Sequence, residues 1–248
     1  MNVAGVVAAL DREARTLGPA VHDKAGVQIL ADGTLRAVSG MGCVAAGMAA
    51  RALVEAGATA LVSWGMAGGL DPELEAGAIC LPREVVAPDG MRFPTAASWR
   101  DTLMASIASY RPVAPGALLT CMHPITGVAA KQAAHRETGA VAVDMESSAI
   151  AEVAAASHVP FIAIRVIVDT ARDAIPDSVT AAGESGQVQI GRLLRGLARS
   201  PAEVVPLVRL ARRYRLAIRS LRAVGKLGRL APPAMPEARG VRCTEPRG

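Results

Sequence analysis

Residues 161–168 read Phe-Ile-Ala-Ile-Arg-Val-Ile-Val, an apolar run broken by one arginine and closed by Asp169. A strand without polar alternation has no face for water, so it belongs in the middle of a mostly parallel sheet covered on both sides. The rest of the chain keeps to that plan, because short apolar runs alternate with longer Ala-rich segments. Further strands are expected at Val3–Ala9, Gly26–Leu30, Leu35–Ser39, Ala60–Trp64, Ala78–Leu81, Gly116–Cys121 and Ala140–Val143. Helices are expected at Val44–Glu55, Trp99–Ser109, Gly127–Glu137, Glu146–Ser157 and Val179–Ala198. The stretch Arg83–Ala97 holds Pro88 and Pro94 and reads as a loop or a β-excursion.

The 248 residues fit one α/β domain with an appendage, and the charge shows where the appendage begins. Of 27 Lys/Arg and 22 Asp/Glu, 11 and 3 respectively lie beyond residue 200. The body is therefore mildly acidic and the remainder strongly basic, so attraction to phosphate-bearing surfaces belongs to the C-terminal part. Residues 1–200 read as the α/β domain, 201–229 as a basic amphipathic helical extension, and 230–248 as a disordered Pro, Gly and Arg-rich tail. In the extension, Leu207, Leu210, Tyr214, Ala217, Leu221 and Val224 form one stripe, and Arg212, Arg215, Arg219, Arg222 and Lys226 form another. That stripe suits either an anionic membrane surface, through 204–228, or packing on the domain or a subunit interface. Aromatics make up 2% of the chain, which leaves few rings for stacking on bases and argues against a nucleic-acid partner.

Cys43, Cys80, Cys121 and Cys243 are scattered without ligand spacing, so neither a disulfide framework nor a metal site is expected. Reduced thiols fit the cytoplasm. Asp11 cuts the first apolar stretch short, against a signal peptide, and no long charge-free apolar run suggests a spanning helix.

Five clusters fall at expected strand ends, where ligands bind in open α/β sheets. Ser39-Gly40-Met41-Gly42 and Gly65-Met66-Ala67-Gly68-Gly69 could let backbone N–H groups approach an anion, or merely turn the chain tightly. Neither matches a dinucleotide or Walker A motif. In Val143-Asp144-Met145-Glu146 the carboxylates suit sugar hydroxyls, with N-capping by Asp144 as the plainer alternative. Asp169 closes the apolar strand, and Arg165 within it needs an internal ion pair. Asp11-Arg12-Glu13 follows the first strand and would otherwise read as solvated surface.

In this order the clusters resemble the purine nucleoside phosphorylase and methylthioadenosine/adenosylhomocysteine nucleosidase superfamily, from Val3 to about Leu197. The resemblance implies a three-layer α/β fold with a central mixed sheet flanked by helices, and a homo-oligomer with sites near its interfaces. It implies that Asp169 is the general acid that protonates the purine as the bond to C1′ breaks. Glu146 would grip the ribose hydroxyls with Met145 packed on the sugar, and Glu13 would activate water in a nucleosidase. Met66, Gly68, Phe161 and His123 complete the implied substrate contacts, although for His123 the residues alone favour plain surface. No cofactor is implied beyond inorganic phosphate as co-substrate. Related phosphorylases carry Arg and Ser where this chain has Ser63 and Met66, which leaves Ser39, Gly40, Gly42, Gly65 and Arg12, or Arg15, as the phosphate candidates.

The loop Gly65–Asp71, the run Val143–Ser147 and the basic helix together resemble hopanoid-associated phosphorylases, which convert adenosylhopane and phosphate to adenine and phosphoribosyl-hopane. This likeness makes phosphorolysis of a lipid-linked adenosine the leading expectation, with a cytoplasmic enzyme resting peripherally on the membrane. Hydrolysis of methylthioadenosine-like nucleosides and a non-catalytic purine-binding module are the alternatives.

Overall fold

The computed structural model describes residues 2–108, 113–175, 204–227, 230 and 232. Its strands are β1 (Ala4–Ala8), β2 (Ala20–Lys24), β3 (Val27–Leu30), β4 (Leu35–Val38), β5 (Ala60–Gly69), β6 (Ile79–Cys80), β7 (Glu84–Val86), β8 (Arg92–Pro94), β9 (Val113–Ala114), β10 (Ala117–Thr120), β11 (Ala140–Asp144) and β12 (Phe161–Asp169). The helices are α1 (Asp11–Ala14), α2 (Cys43–Glu55), α3 (Ala97–Ile107), α4 (Val128–Thr138), α5 (Ser147–Ala156) and α6 (Val204–Lys226), with a 3-10 turn at Arg15–Leu17. The helix expected at Val179–Ala198 and most of the tail lie outside the described residues.

One mixed sheet holds all twelve strands in the order β2-β3-β4-β1-β5-β11-β10-β7-β8, with β12 joined to β5 and β6, and β9 to β6. Its centre is parallel: β1 pairs with β4 and β5, and β5 with β12. Antiparallel additions make the sheet mixed, among them the hairpin β7–β8 that occupies the Arg83–Ala97 stretch. The β2 strand was not expected from the sequence, because Ala20–Lys24 lies half-open at the sheet's edge and lacks an apolar face.

The apolar run on β12 behaves as its composition requires. Phe161, Ala163 and Ile167 face one core with Leu61, Ile150 and Ala154, beneath α2 and α5. Ile162, Ile164 and Val166 face a second core with Val62, Trp64, Leu103 and Ile107. The stripe on α6 closes this second core, with Ala217, Leu221 and Val224 at most 2% exposed. Packing on the domain, rather than on a bilayer, is thus what its apolar face does. Arg209, Arg212, Arg215, Arg219, Arg222 and Lys226 are left on the outside. No described helix is long and apolar enough to cross a membrane. Cys43, Cys80 and Cys121 are free thiols.

Candidate active site

The carboxyl ends of β1, β5, β11 and β12 converge on a cavity of about 200 Å³. Glu13, Asp144, Glu146 and Asp169 reach it within a wall of Met41, Met66, Pro124, Ile125, Val168 and Ile175. The first strand ends early because α1 turns back at once, and this turn brings Glu13 inward, 3% exposed. Its Oε2 accepts the Leu10 N–H at 3.0 Å and its Oε1 accepts the Met66 N–H at 2.8 Å. Burial raises the Glu13 carboxyl to about 7, against the pull of Arg165 and those two bonds. A carboxyl poised near neutrality serves as a general base.

Arg165 organises the floor. A buried guanidinium is costly unless paired, and here its Nη2 lies 2.7 Å from Asp144 Oδ2 and 3.7 Å from Glu146 Oε2. The same nitrogen donates to Ser63 Oγ at 2.7 Å. Asp144 also accepts the Thr120 hydroxyl at 2.8 Å and the Ser147 N–H at 3.2 Å, so it is engaged by the first residue of α5 and by Arg165. Glu146 accepts the Gly42 N–H at 3.0 Å and lines the cavity beside Met145. Burial raises its carboxyl too, opposed by Arg165.

Asp169 lies at the end of β12, 4% exposed, opposite Gly68 in register. Burial raises its carboxyl against an ion pair with Lys131 of α4. A desolvated carboxylic acid at a cavity wall can hold a proton for a leaving group. Lys131 belongs to none of the clusters at the strand ends, yet it is fully buried and bonds Asp169 directly. The one hint is its place near the start of α4, where a helix dipole disfavours a cation.

The cavity thus gathers Glu13, Glu146, Asp169, Met145, Met66 and Gly68 from the expected residues. It does not gather Phe161, which begins β12 eight residues before Asp169 and sits in the core, roughly 26 Å away at the rise of a strand. His123 is exposed and outside the lining. The expected phosphate cradle is spent on the protein itself. Ser39 N–H goes to Ala8 O, Gly40 N–H to Ala9 O and Gly42 N–H to Glu146. Gly65 is filled over by Arg165 and Glu13, and Arg12 is exposed with its guanidinium 6.0 Å from the Tyr214 ring centre. Among the described residues no Lys or Arg lines the cavity.

The sequence matches the family described as the phosphorylase superfamily over residues 32–199. No curated protein matches the chain. The fold is similar to that of a 5'-methylthioadenosine/S-adenosylhomocysteine nucleosidase from Neisseria meningitidis in complex with methylthio-immucillin-A: TM-score 0.68, 18% identity, 92% of this chain and 98% of that one. It is similar to native futalosine hydrolase of Helicobacter pylori, with TM-score 0.64 and 18% identity over 79% and 98%. A further similar structure is the nucleosidase from Colwellia psychrerythraea in complex with adenine, with TM-score 0.59 and 22% identity over 68% and 83%.

Proposed function

This chain belongs to the phosphorylase superfamily, and from that premise we propose that it cleaves the N-glycosidic bond of a 5'-substituted adenosine. The observation that carries the reading is the meeting of Glu13, Glu146 and Asp169, from three separate strand ends, in one cavity walled mainly by apolar side chains. Asp169 protonates the departing adenine, so that the electron pair of the C1′–N bond leaves on a neutral base. Glu146 holds the ribose hydroxyls and, with Glu13, offsets the positive charge that grows on the sugar ring. Met66 and Met145 pack against the sugar.

For the nucleophile the geometry favours water. Glu13 is a buried carboxyl near neutrality that can take a proton from it, and among the described residues the lining supplies no cation for a phosphate dianion. Phosphate remains the second reading, supported by the sequence likeness to hopanoid-associated phosphorylases. That likeness also supports adenosylhopane as the substrate. The apolar wall formed by Met41, Pro124, Ile125 and Ile175 suits a greasy 5′ group. The basic outer face of α6 would hold such an enzyme against an anionic membrane by charge alone. Exposed Val44 and Met48 on α2, with Met41 just before it, suit a subunit interface beside the site.

The test incubates the protein with methylthioadenosine, adenosylhomocysteine and adenosylhopane in detergent, with and without phosphate. Adenine with free sugar regardless of phosphate is the expected result. A sugar 1-phosphate formed only with phosphate would install the second reading, and no adenine from any substrate would end the enzyme assignment.

A further inference from the structure

Lys131 is 0% exposed, a rare state for a lysine, and it does not line the cavity. All three of its ammonium hydrogens are committed to one short segment. They go to Asp169 Oδ2, to Thr170 O at 2.9 Å and to Asp173 O at 2.9 Å. No hydrogen is left for a ligand. Burying an ammonium here opposes both desolvation and the dipole of α4, and an alanine would satisfy the helix equally well. The segment it grips is also held from its far side, where Arg213 of α6 pairs with Asp173.

We propose that Lys131 is the positioning residue of the general acid: it fixes Asp169 Oδ2, leaves Oδ1 to face the purine, and offsets the charge Asp169 acquires when its proton departs. The inference rests on the reading of Asp169 as the acid. In the step, the Oδ1–H bond breaks as an N–H bond forms on the purine. The pair from the C1′–N bond passes into the purine ring, and Asp169 is left as a carboxylate beside an ammonium that keeps its own protons.

The charged groups around Asp169 set the direction of the test. Lys131 approaches from α4, Asp173 from the chain beyond β12, and Arg213 from α6 through Asp173. Glu13 and Glu146 lie in the walls of the same cavity. Burial raises the Asp169 carboxyl, while Lys131 pulls it down. Lys131→Met keeps the volume and removes the charge, so the carboxyl should hold its proton to higher pH.

The experiment titrates the full chain labelled with 13C at the aspartate carboxyls, with the Asp169 signal assigned by Asp169→Asn. Lys131→Met should move the Asp169 midpoint to higher pH, and the alkaline limb of kcat/KM should move with it. Turnover should fall at least roughly ten-fold with KM little changed, part of the ~10²–10⁴ that a placed acid contributes. Lys131→Arg keeps the charge and should restore the wild-type midpoint. Should the methionine variant not fold, Lys131→Gln serves for the same comparison. An unmoved midpoint in the neutral variant, or a midpoint that moves while the alkaline limb of kcat/KM stays in place, overturns the proposal, because a merely structural lysine would leave the pH dependence of turnover unchanged. The titration is read on the resting protein, so a wild type that cleaves no nucleoside fails the function, whereas a fixed midpoint fails Lys131.

Discussion

Gly65 and Arg165 are register partners on β5 and β12, and a Cβ placed on Gly65 would stand 2.6 Å from the arginine's Nη1. The same Cβ would stand 2.7 Å from Glu13 Oε1. Side chains of paired residues share a face of the sheet, so the missing side chain is the space in which guanidinium and carboxylate lie. Gly65→Ala should displace both groups, costing about 1–3 kcal/mol by overpacking and more than ten-fold in turnover. Thermal unfolding and kcat check it together. A variant with unchanged kcat would mean that Glu13 is not held where the chemistry needs it.

Glu13 makes stability and activity depend on pH in opposite directions. Its carboxyl rises from 4.5 to about 7 on folding. Its contribution to stability is therefore complete below about 4.5 and is lost as pH rises through about 7, a change of up to about 3 kcal/mol. A base must be ionised, so the acidic limb of kcat/KM should fall at about pH 7. Glu13→Gln should flatten the dependence of Tm on pH in that window and abolish hydrolysis. A Tm profile that Glu13→Gln leaves intact would assign the titration elsewhere.

Asp169→Asn keeps the shape of the acid and removes its proton. Turnover should drop by ~10²–10⁴ while adenine analogues still bind, because loss of an acid spares the ground state. Single-turnover kinetics and calorimetric titration separate the two effects. Equal loss of binding and turnover would make Asp169 a purine anchor instead.

Much of this site is legible in the chain because its chemistry is forced. An arginine inside an apolar strand must find a carboxylate, and ligands in such sheets gather at strand ends, so Arg165, Asp169 and Glu146 could be read from residues alone. The strand and helix assignments hold for the central elements, whose apolar periodicity is strong. They fail at Ala20–Lys24, where an exposed edge strand carries no such pattern. Phe161 misses the cavity because it and Asp169 stand at opposite ends of the nine-residue strand β12. Lys131 carries only a faint sequence signal, because α4 reaches Asp169 through tertiary packing alone. The amphipathy of α6 was plain, but periodicity identifies a face that must be covered without naming its cover.

That cover decides the last prediction. The apolar stripe of α6 is consumed by the core: Leu221 is 0% exposed, so Leu221→Ala should cost about 2–5 kcal/mol. The outer face is a separate device. Seven cations and no acid lie between Val204 and Lys226, and only Arg213 is ion-paired among the described residues. Such a row attracts anionic headgroups by about 1 kcal/mol per cation near the surface, and salt screens the attraction. The full chain should sediment with phosphatidylserine-containing vesicles at low salt, stay in solution with phosphatidylcholine alone, and be released by high salt. Replacing Arg212, Arg215, Arg219 and Arg222 by Gln should remove the binding and leave Tm little changed, since all four residues are exposed. Undiminished binding in that variant would move the attraction to the cations beyond Lys226 and leave α6 a purely structural helix.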